Sequence, residues 1–400
     1  MKKIIAAMVA ILLFIPFSSI NGNKISLMEN GGSGGDILYV GGNGEGNYTT
    51  IQEAINAASN GYTIYVYPGN YNESVVINKS ISLIGIEKEG EKPIIDGGGN
   101  EEGTTVLIEA NNCTLLNLII RGGLYGIETK EVAFITIENN VVEYAGVGMK
   151  IYSSNTMIRN NTITKSGGIG VSTHDNTFNI TLTRNFMVEN GGNGVEMHGN
   201  NHIISHNNIT KNCDGIDMDN AHNCIISFNH VHYNWQYGID VFKGKNISIF
   251  NNTVHHHAFI GIKLVDSSYC SVYRNEMYEN QAGVAIEGNT RPSQPAHDNL
   301  VTYNNIHNNS VGVYLEDFIK DNKIMYNNVM DNDMDGYVFF GHGTSLRFPN
   351  TWDANYYNRW HLPLPRPIRG VAYLAIWRFQ VSIPWVIFDK HPAMEPYDIS

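Results

Sequence analysis

Apolar and polar positions along this chain repeat in long columns rather than with a helical period. Ile137, Ile158, Leu182, Ile204, Ile226, Ile249, Val272, Val301 and Ile324 form one apolar column. Five residues later comes a second: Val142, Ile163, Met187, Ile209, Val231, Val254, Met277, Ile306 and Val329. Two residues before the second column stands Asn, and Asn117, Asn140, Asn161, Asn185, Asn207, Asn229, Asn252, Asn275, Asn304 and Asn327 recur at steps of 21 to 24 residues with one of 29. Each Asn is followed by Gly and an apolar residue, from Gly126-Ile127 through Gly215-Ile216 and Gly238-Ile239 to Gly336-Tyr337. Ladders in one register mean one structural unit repeated, and a period in the low twenties predicts a solenoid.

The apolar runs are three to five residues long, rich in β-branched residues and punctuated by Asn and Gly, so they predict short strands. Asn tolerates the left-handed backbone of a sharp bend, and stacked Asn amides hydrogen-bond from coil to coil. Both roles are expected of the ladder residue. The fold class is therefore all-β, a parallel β-helix, and a solenoid that grows lengthwise need not divide the 400 residues into several domains.

The ends differ from the middle. Lys2 and Lys3, an apolar stretch from Ile4 to Phe17, then Ser18 and Ser19 predict a secretory signal over residues 1 to 21, with a flexible Gly-rich leader over 22 to 36. That stretch is too short for a comfortable membrane span, so the membrane enters only through export, and the protein is expected to be secreted, periplasmic or on the cell surface. Thr50 and Glu53 have capping-box spacing ahead of apolar positions 51, 54, 55 and 58, which predicts a short helix capping the open end of the coils within 49 to 61. Coils are expected over 37 to 340. From 341 to 400, prolines and aromatics such as Trp352, Tyr357, Trp360 and Trp385 predict an irregular cap on the other end.

Charge and cysteines narrow the chemistry. A formal net charge of -12, with no basic stripe, argues against a nucleic-acid partner. An acidic polysaccharide would need a local Lys or Arg patch or a bridging cation. Cys224 and Cys270 stand two coils apart, roughly 9.6 Å from a strand spacing of about 4.8 Å, beyond disulfide reach, so buried thiols are expected. Ten Asn-x-Ser/Thr sequons, among them Asn47, Asn160 and Asn251, are compatible with surface glycosylation.

Thr50-Ile51-Gln52-Glu53-Ala54-Ile55, then Tyr65-Val66-Tyr67-Pro68-Gly69-Asn70-Tyr71, then Ile77-Asn78-Lys79-Ser80-Ile81 resemble the entry segment of pectin-lyase-like right-handed β-helix proteins. The Asn-and-Gly coils that follow are similar to NosD-like and carbohydrate-binding/sugar-hydrolase repeats. The resemblance implies a right-handed helix whose Gly-initiated strands form the first sheet, which floors the substrate groove in those families. The same architecture carries lyases, hydrolases, epimerases and plain surface proteins.

On that sheet, alternation turns the second and fourth residues after each Gly outward. The second positions include Lys150, Ser172, Glu196, Asp217, Asp240, Lys263, Ala285, Tyr314 and Val338; the fourth include Tyr152, His174, His198, Asp219, Phe242, Glu287 and Phe340. Glu196, Asp217 and Asp240 then stack as like charges, which a fold keeps if a cation bridges them, a carboxyl stays protonated, or they splay into water. Paired carboxylates with displaced pKa values are what acid/base cleavage of a glycosidic bond needs, with His198 able to move a proton near neutral pH.

Asn212-Cys213-Asp214-Gly215-Ile216-Asp217 resembles the Asn-Thr-Asp-Gly-x-Asp motif of polygalacturonase-like hydrolases, which implies Asp214 as an acid. Gln236-Tyr237-Gly238 stands where that family has an Asp pair, so its water-activating base is missing. A calcium-assisted lyase would instead place Glu196, Asp217 and Asp240 on the ion and Lys150 or Lys263 on a sugar carboxylate. A transition-metal site drawing on His174, His198 and Asp219 is a third reading, the NosD-like resemblance implying copper. His255-His256-His257 alternates its faces and reads as surface histidines. The expected function is binding or processing of an extracellular or cell-surface glycan in a groove centred on residues 172 to 242, with Tyr152, His174, Asp219 and Phe242 contacting sugar. A divalent cation such as Ca²⁺ is the cofactor in view. The competing class is a non-catalytic envelope or adhesion spacer.

Overall fold

The computed structural model describes residues 36–99, 102–288, 295–341, 350–376 and 379–399. The signal and leader segments lie outside the described residues, as does most of the proline-containing stretch between Glu287 and Ala296. Within the described residues the chain winds as a solenoid with three long sheets, of 14, 14 and 13 strands. We call them sheet I (strands opening at Gly), sheet II (before the ladder Asn) and sheet III (after it). Each strand pairs in parallel with its counterpart one coil on, so Ile137 faces Ile158 in sheet II and Val142 faces Ile163 in sheet III. Both apolar columns read from the sequence are buried from end to end and form the core.

The Asn ladder fills the corner between sheets II and III. The Asn207 backbone N–H and Nδ2 both donate to Asn229 Oδ1 at 2.9 and 3.0 Å, and Asn229 Nδ2 donates to the Ile204 carbonyl and to Asn252 Oδ1. The left-handed residue of the bend is the one before the ladder Asn, however: Asn139, Arg184, His206, Phe228 and Tyr303 all carry φ between 53° and 57°. The ladder Asn is chosen for its amide, not for its backbone freedom. Asn117 is accordingly out of register, because it pairs with Asn139 while Leu118 N–H donates to Asn140 Oδ1. The ladder runs on through Asn327 to Asn355 and ends at Asp389, whose Oδ2 accepts from Asn355 N–H, Asn355 Nδ2 and Tyr357 OH. A second ladder, Asn190, Asn212 and Asn234, then Asn280, Asn309 and Asn332, lines the corner into sheet I, with His257 on the rung between.

Gly at the start of sheet I is required by close approach. A Cβ on Gly148 would lie 2.5 Å from both the Gly170 carbonyl and Ile163 Cγ2. At the far end the pattern slips: Gly336 pairs with Val313, not Gly312, so Tyr337 faces Tyr314. Val338 and Phe340, expected outward, are buried instead.

The N-terminal helix spans Ile51–Ala57, with Thr50 Oγ1 accepting from Glu53 N–H and Ile51, Ala54 and Ile55 buried. Glu73 reaches back to take the Ile51 and Gln52 N–H groups at 2.8 and 3.0 Å, satisfying the orphan donors of the first turn. The C-terminal segment closes the stack with aromatics, and with more regular structure than its prolines suggest. Trp352 and Tyr357 take the inward positions of a further coil, opposite Ile324 and Val329. Arg366–Ile376 extends sheet I and turns into Phe379–Asp389, its antiparallel partner, where Pro384 sits on the outermost strand that needs no further N–H donor. Asp389→Ala should strip one acceptor from three buried donors. We expect a loss of about 3 kcal/mol and proteolytic nicking of the hairpin before the coils, read by timed digestion.

Candidate functional site

Strands Val171–Thr173, Val195–Met197, Ile216–Asp219 and Ile239–Phe242 place their outward side chains in two columns on sheet I. Glu196, Asp217, Asp240 and Lys263 stand in that order on consecutive coils. Lys150 stands two coils before Glu196 in the same column, donating to Ser172 Oγ at 3.0 Å, and Ser172 Oγ lies 3.4 Å from Glu196 Oε1. Three carboxylates are thus flanked by a Lys at each end.

Each acid has a different environment. Glu196 is held below the usual carboxylate range, chiefly by His198, whose Nε2 lies 3.4 Å from Oε1; His198 is raised by the same contact. Asp175 Oδ1 sits 3.2 Å from His198 Nδ1, close enough for an ion pair but without hydrogen-bond geometry, while the His198 backbone N–H donates to Thr173 Oγ1 at 2.8 Å and anchors the residue. Asp217 is pushed up to about 7 by burial and then by Asp240 and Asp214; its Oδ2 accepts from Asn193 Nδ2 at 3.0 Å. Asp240 rises to about 6, mainly through burial, opposed by Lys263. Its Oδ1 is buried without a hydrogen-bond partner among the described residues. Asp214 is also raised by burial, against the Tyr237 N–H that donates to its Oδ1 at 2.9 Å.

The structure therefore brings Asp214, Asp217, Asp240, Glu196, His198, Asp219 and Lys263 together. Asp219 lies 4.0 Å from His198 and is the strand partner of Phe242. Lys150, Tyr152 and His174 form a separate group toward the N-terminal end, the exposed His174 ring 5.2 Å from Tyr152. Lys263 is ion-paired to Glu287 at 3.3 Å and lies 4.4 Å from the Tyr237 ring centroid. Past it the outward face turns apolar: Ile260, Ala282 and Ala285 pack with Tyr237, Val311 and Tyr314. Ala285, Tyr314 and Glu287 stand among the outward positions expected from the sequence, whereas the assembly of this platform and the approach of Asp175 and Asn193 do not follow from it.

Stability should carry the mark of the Asp pair. Both acids have folded pKa values above the unfolded value near 3.9, so between about 4 and 7 the folded state binds more protons. Their contribution then falls as pH rises through that window. His198, raised by Glu196, adds in the same direction around neutrality. Histidines lowered by burial, His202, His232, His255 and His257 among them, titrate in the opposite direction, so the test is a difference: the gain in thermal midpoint of Asp217→Asn over wild type should be larger at pH 8 than at pH 5.5, measured by scanning calorimetry.

Outside sheet I, one group of three His, Cys or carboxylate side chains gathers its donor atoms within 4.8 Å among the described residues: His230, His232 and His255, on sheet III. The carboxylates of the acidic column are not gathered in this way. All four cysteines are free, with Cys113, Cys224 and Cys270 buried as thiols. No helix among the described residues is long and apolar enough to cross a membrane.

Comparison with known proteins follows the same lines. Residues 192–358 match the family model described as periplasmic copper-binding protein (NosD), and residues 95–221 match that of the right-handed β-helix region. A cell surface glycoprotein of Methanothermus fervidus is 33% identical over 159 residues, 31% of this chain and 26% of that protein, so the chain spans about a quarter of it. Among solved structures, the mannuronan C-5 epimerase A-module of Azotobacter vinelandii superposes with a TM-score of 0.58 at 13% identity, over 74% of this chain and 94% of that one. A mannuronic acid specific polysaccharide family 6 lyase from human gut microbiota gives 0.52 at 12%, over 80% and 86%. At such identities the superpositions speak to fold. With those folds, the two partial family matches and the coil geometry in agreement, the chain folds as a right-handed parallel β-helix, and its coils over residues 192–358 are similar to those of the NosD family.

Proposed function

We propose that this protein acts outside the cytoplasm and binds or processes a cell-surface or extracellular polysaccharide along sheet I, with acid/base work at Asp217 and Asp240. The observation that carries it is the pair itself: adjacent carboxyls in an outward column, held near 7 and 6, one with an unpartnered oxygen. A purely structural surface has no reason to retain that cost, whereas a group titrating near neutral pH exchanges protons with a sugar hydroxyl or ring proton efficiently.

The remaining residues take positioning roles. Glu196 and His198 hold one another in the charged form. Lys150 and Lys263 supply the positive ends that uronate groups would meet, and Tyr237 and Tyr314 offer ring faces to the apolar side of a pyranose. Asp214, by its motif, is a further acid. By donor type Glu196, Asp217 and Asp240 would suit calcium and not copper, which prefers imidazole and sulfur, but their oxygens are not gathered around one point among the described residues, so the acid/base role does not depend on an ion. The spacer reading draws on the partial match to a cell surface glycoprotein.

The test is a panel of neutral and uronic-acid polysaccharides, with and without Ca²⁺, read by affinity electrophoresis, reducing ends and unsaturated products. Retention by at least one polysaccharide, lost in Asp217→Asn/Asp240→Asn, is the expected result. No retention by any member supports the spacer.

A further inference from the structure

The histidine cluster on sheet III lies on a different face of the coil from the acidic column and has no part in the reading above. His230 and His232 flank the inward Val231 on strand His230–His232, so both point outward, and His255 is the strand partner of His232 on the next coil. One nitrogen from each ring lies within 4.8 Å of the other two. His230 Nε2 and His255 Nε2 are 2.9 Å apart, and His232 Nε2 is 3.0 Å from Asn208 Oδ1. That acceptor takes the proton on Nε2, as a ligand's outer hydrogen bond does, and leaves Nδ1 unprotonated, with only a long 3.5 Å contact to the Thr210 hydroxyl for a metal ion to displace.

The surroundings favour a cation with ring donors. His232 and His255 stack at 5.3 Å, and His255 stacks in turn on Tyr278 at 4.5 Å, which holds the imidazole planes in place. An imidazole's ordinary value near 6.5 already leaves most such rings neutral, with a lone pair available, at pH 7.5. His230 is exposed, His232 half-buried and His255 buried, which leaves one side of the cluster open to solvent.

We propose that His230, His232 and His255 form a three-imidazole site for a divalent transition-metal ion, Cu²⁺ or Zn²⁺, with an open position toward solvent. Three neutral nitrogens from a His-x-His strand and its neighbour make a donor set typical of these ions and unsuited to Ca²⁺ or Mg²⁺. Cu²⁺ binds the tighter of the two in such a set.

The full chain, stripped with a chelator, is titrated with Cu²⁺ and with Zn²⁺ at pH 7.5 by competition with a chromogenic chelator. One equivalent should bind in the micromolar range or tighter, with nitrogen superhyperfine structure in the Cu²⁺ electron paramagnetic resonance spectrum. His230→Gln, the exposed member, should weaken binding at least as much as loss of an outer partner does, roughly 10–100-fold, with an unchanged circular dichroism spectrum. His255→Gln should do the same, and His391→Gln, a distant exposed histidine, should have no effect. Full affinity in the His230→Gln/His232→Gln/His255→Gln variant, an oxygen-only copper spectrum, or wild-type binding weaker than about 100 μM would overturn the proposal and leave the sheet I reading untouched.

Discussion

Asn229→Ala is expected to destabilise the protein by about 3–5 kcal/mol, more than deletion of most single core methyl groups. The substitution leaves two buried donors of Asn207 without their acceptor and the Ile204 carbonyl without its donor, and interrupts the ladder toward Asn252. Each unsatisfied buried group costs about 1–3 kcal/mol. Asn251→Gly, at a left-handed bend with φ 55°, is the contrast: Gly adopts that backbone freely and the change should be nearly neutral. Denaturant unfolding followed by tryptophan fluorescence separates the two. A loss below about 1 kcal/mol for Asn229→Ala would mean that the amide ladder is ornamental and the aliphatic columns alone hold the coils.

Asp217→Asn combined with Asp240→Asn should move stability and function in opposite directions. Relief of two buried, mutually repelling carboxylates should raise stability at pH 8 by on the order of 2–3 kcal/mol, while glycan binding or turnover falls at least about tenfold. The amide oxygen introduced by Asp217→Asn can still accept from Asn193 Nδ2, as the carboxylate does, so packing is conserved. The gain should shrink as pH falls through the folded values near 7 and 6, and vanish only below about 4, where the acids are protonated in the unfolded chain as well. A double variant less stable at pH 8 than the wild type would show that the acids are held by contacts that outweigh their repulsion. Stored cost at a site that selection retains is the pattern expected of function.

Much of this fold was legible because it is periodic. Inward columns, the capping helix and the outward alternation on sheet I follow from repeated spacing, and spacing survives in one sequence. Errors of register arose where the repeat was locally irregular. Asn117 precedes its column by one residue because Leu118 takes the ladder position. At the last Gly, Asp335 occupies the place of the earlier glycines and is ion-paired to Arg366, a partner 31 residues away that no pattern announces.

The histidine cluster escaped for a different reason. The contiguous His255-His256-His257 masks the relevant spacing, which is one and three residues after successive ladder positions: His230, His232 and His255. His257 belongs to the buried second ladder, its Nε2 lying 3.1 Å from the Val231 carbonyl. Of the acidic column, the order and the charges were readable. The environment that separates Glu196 from Asp217 was not, because it depends on Asp175 and Asn193 approaching from other coils.

Covalent footprinting of the protein with and without a bound oligosaccharide tests the central claim most directly. Carboxyl and aromatic labels should be lost at Asp217, Asp240, Asp219, Phe242 and Tyr314 on sheet I, and kept at Trp235, Tyr233 and Phe228, which are exposed elsewhere on the coils. Protection of the second set, with the acidic column labelled as fully as in the free protein, would contradict it.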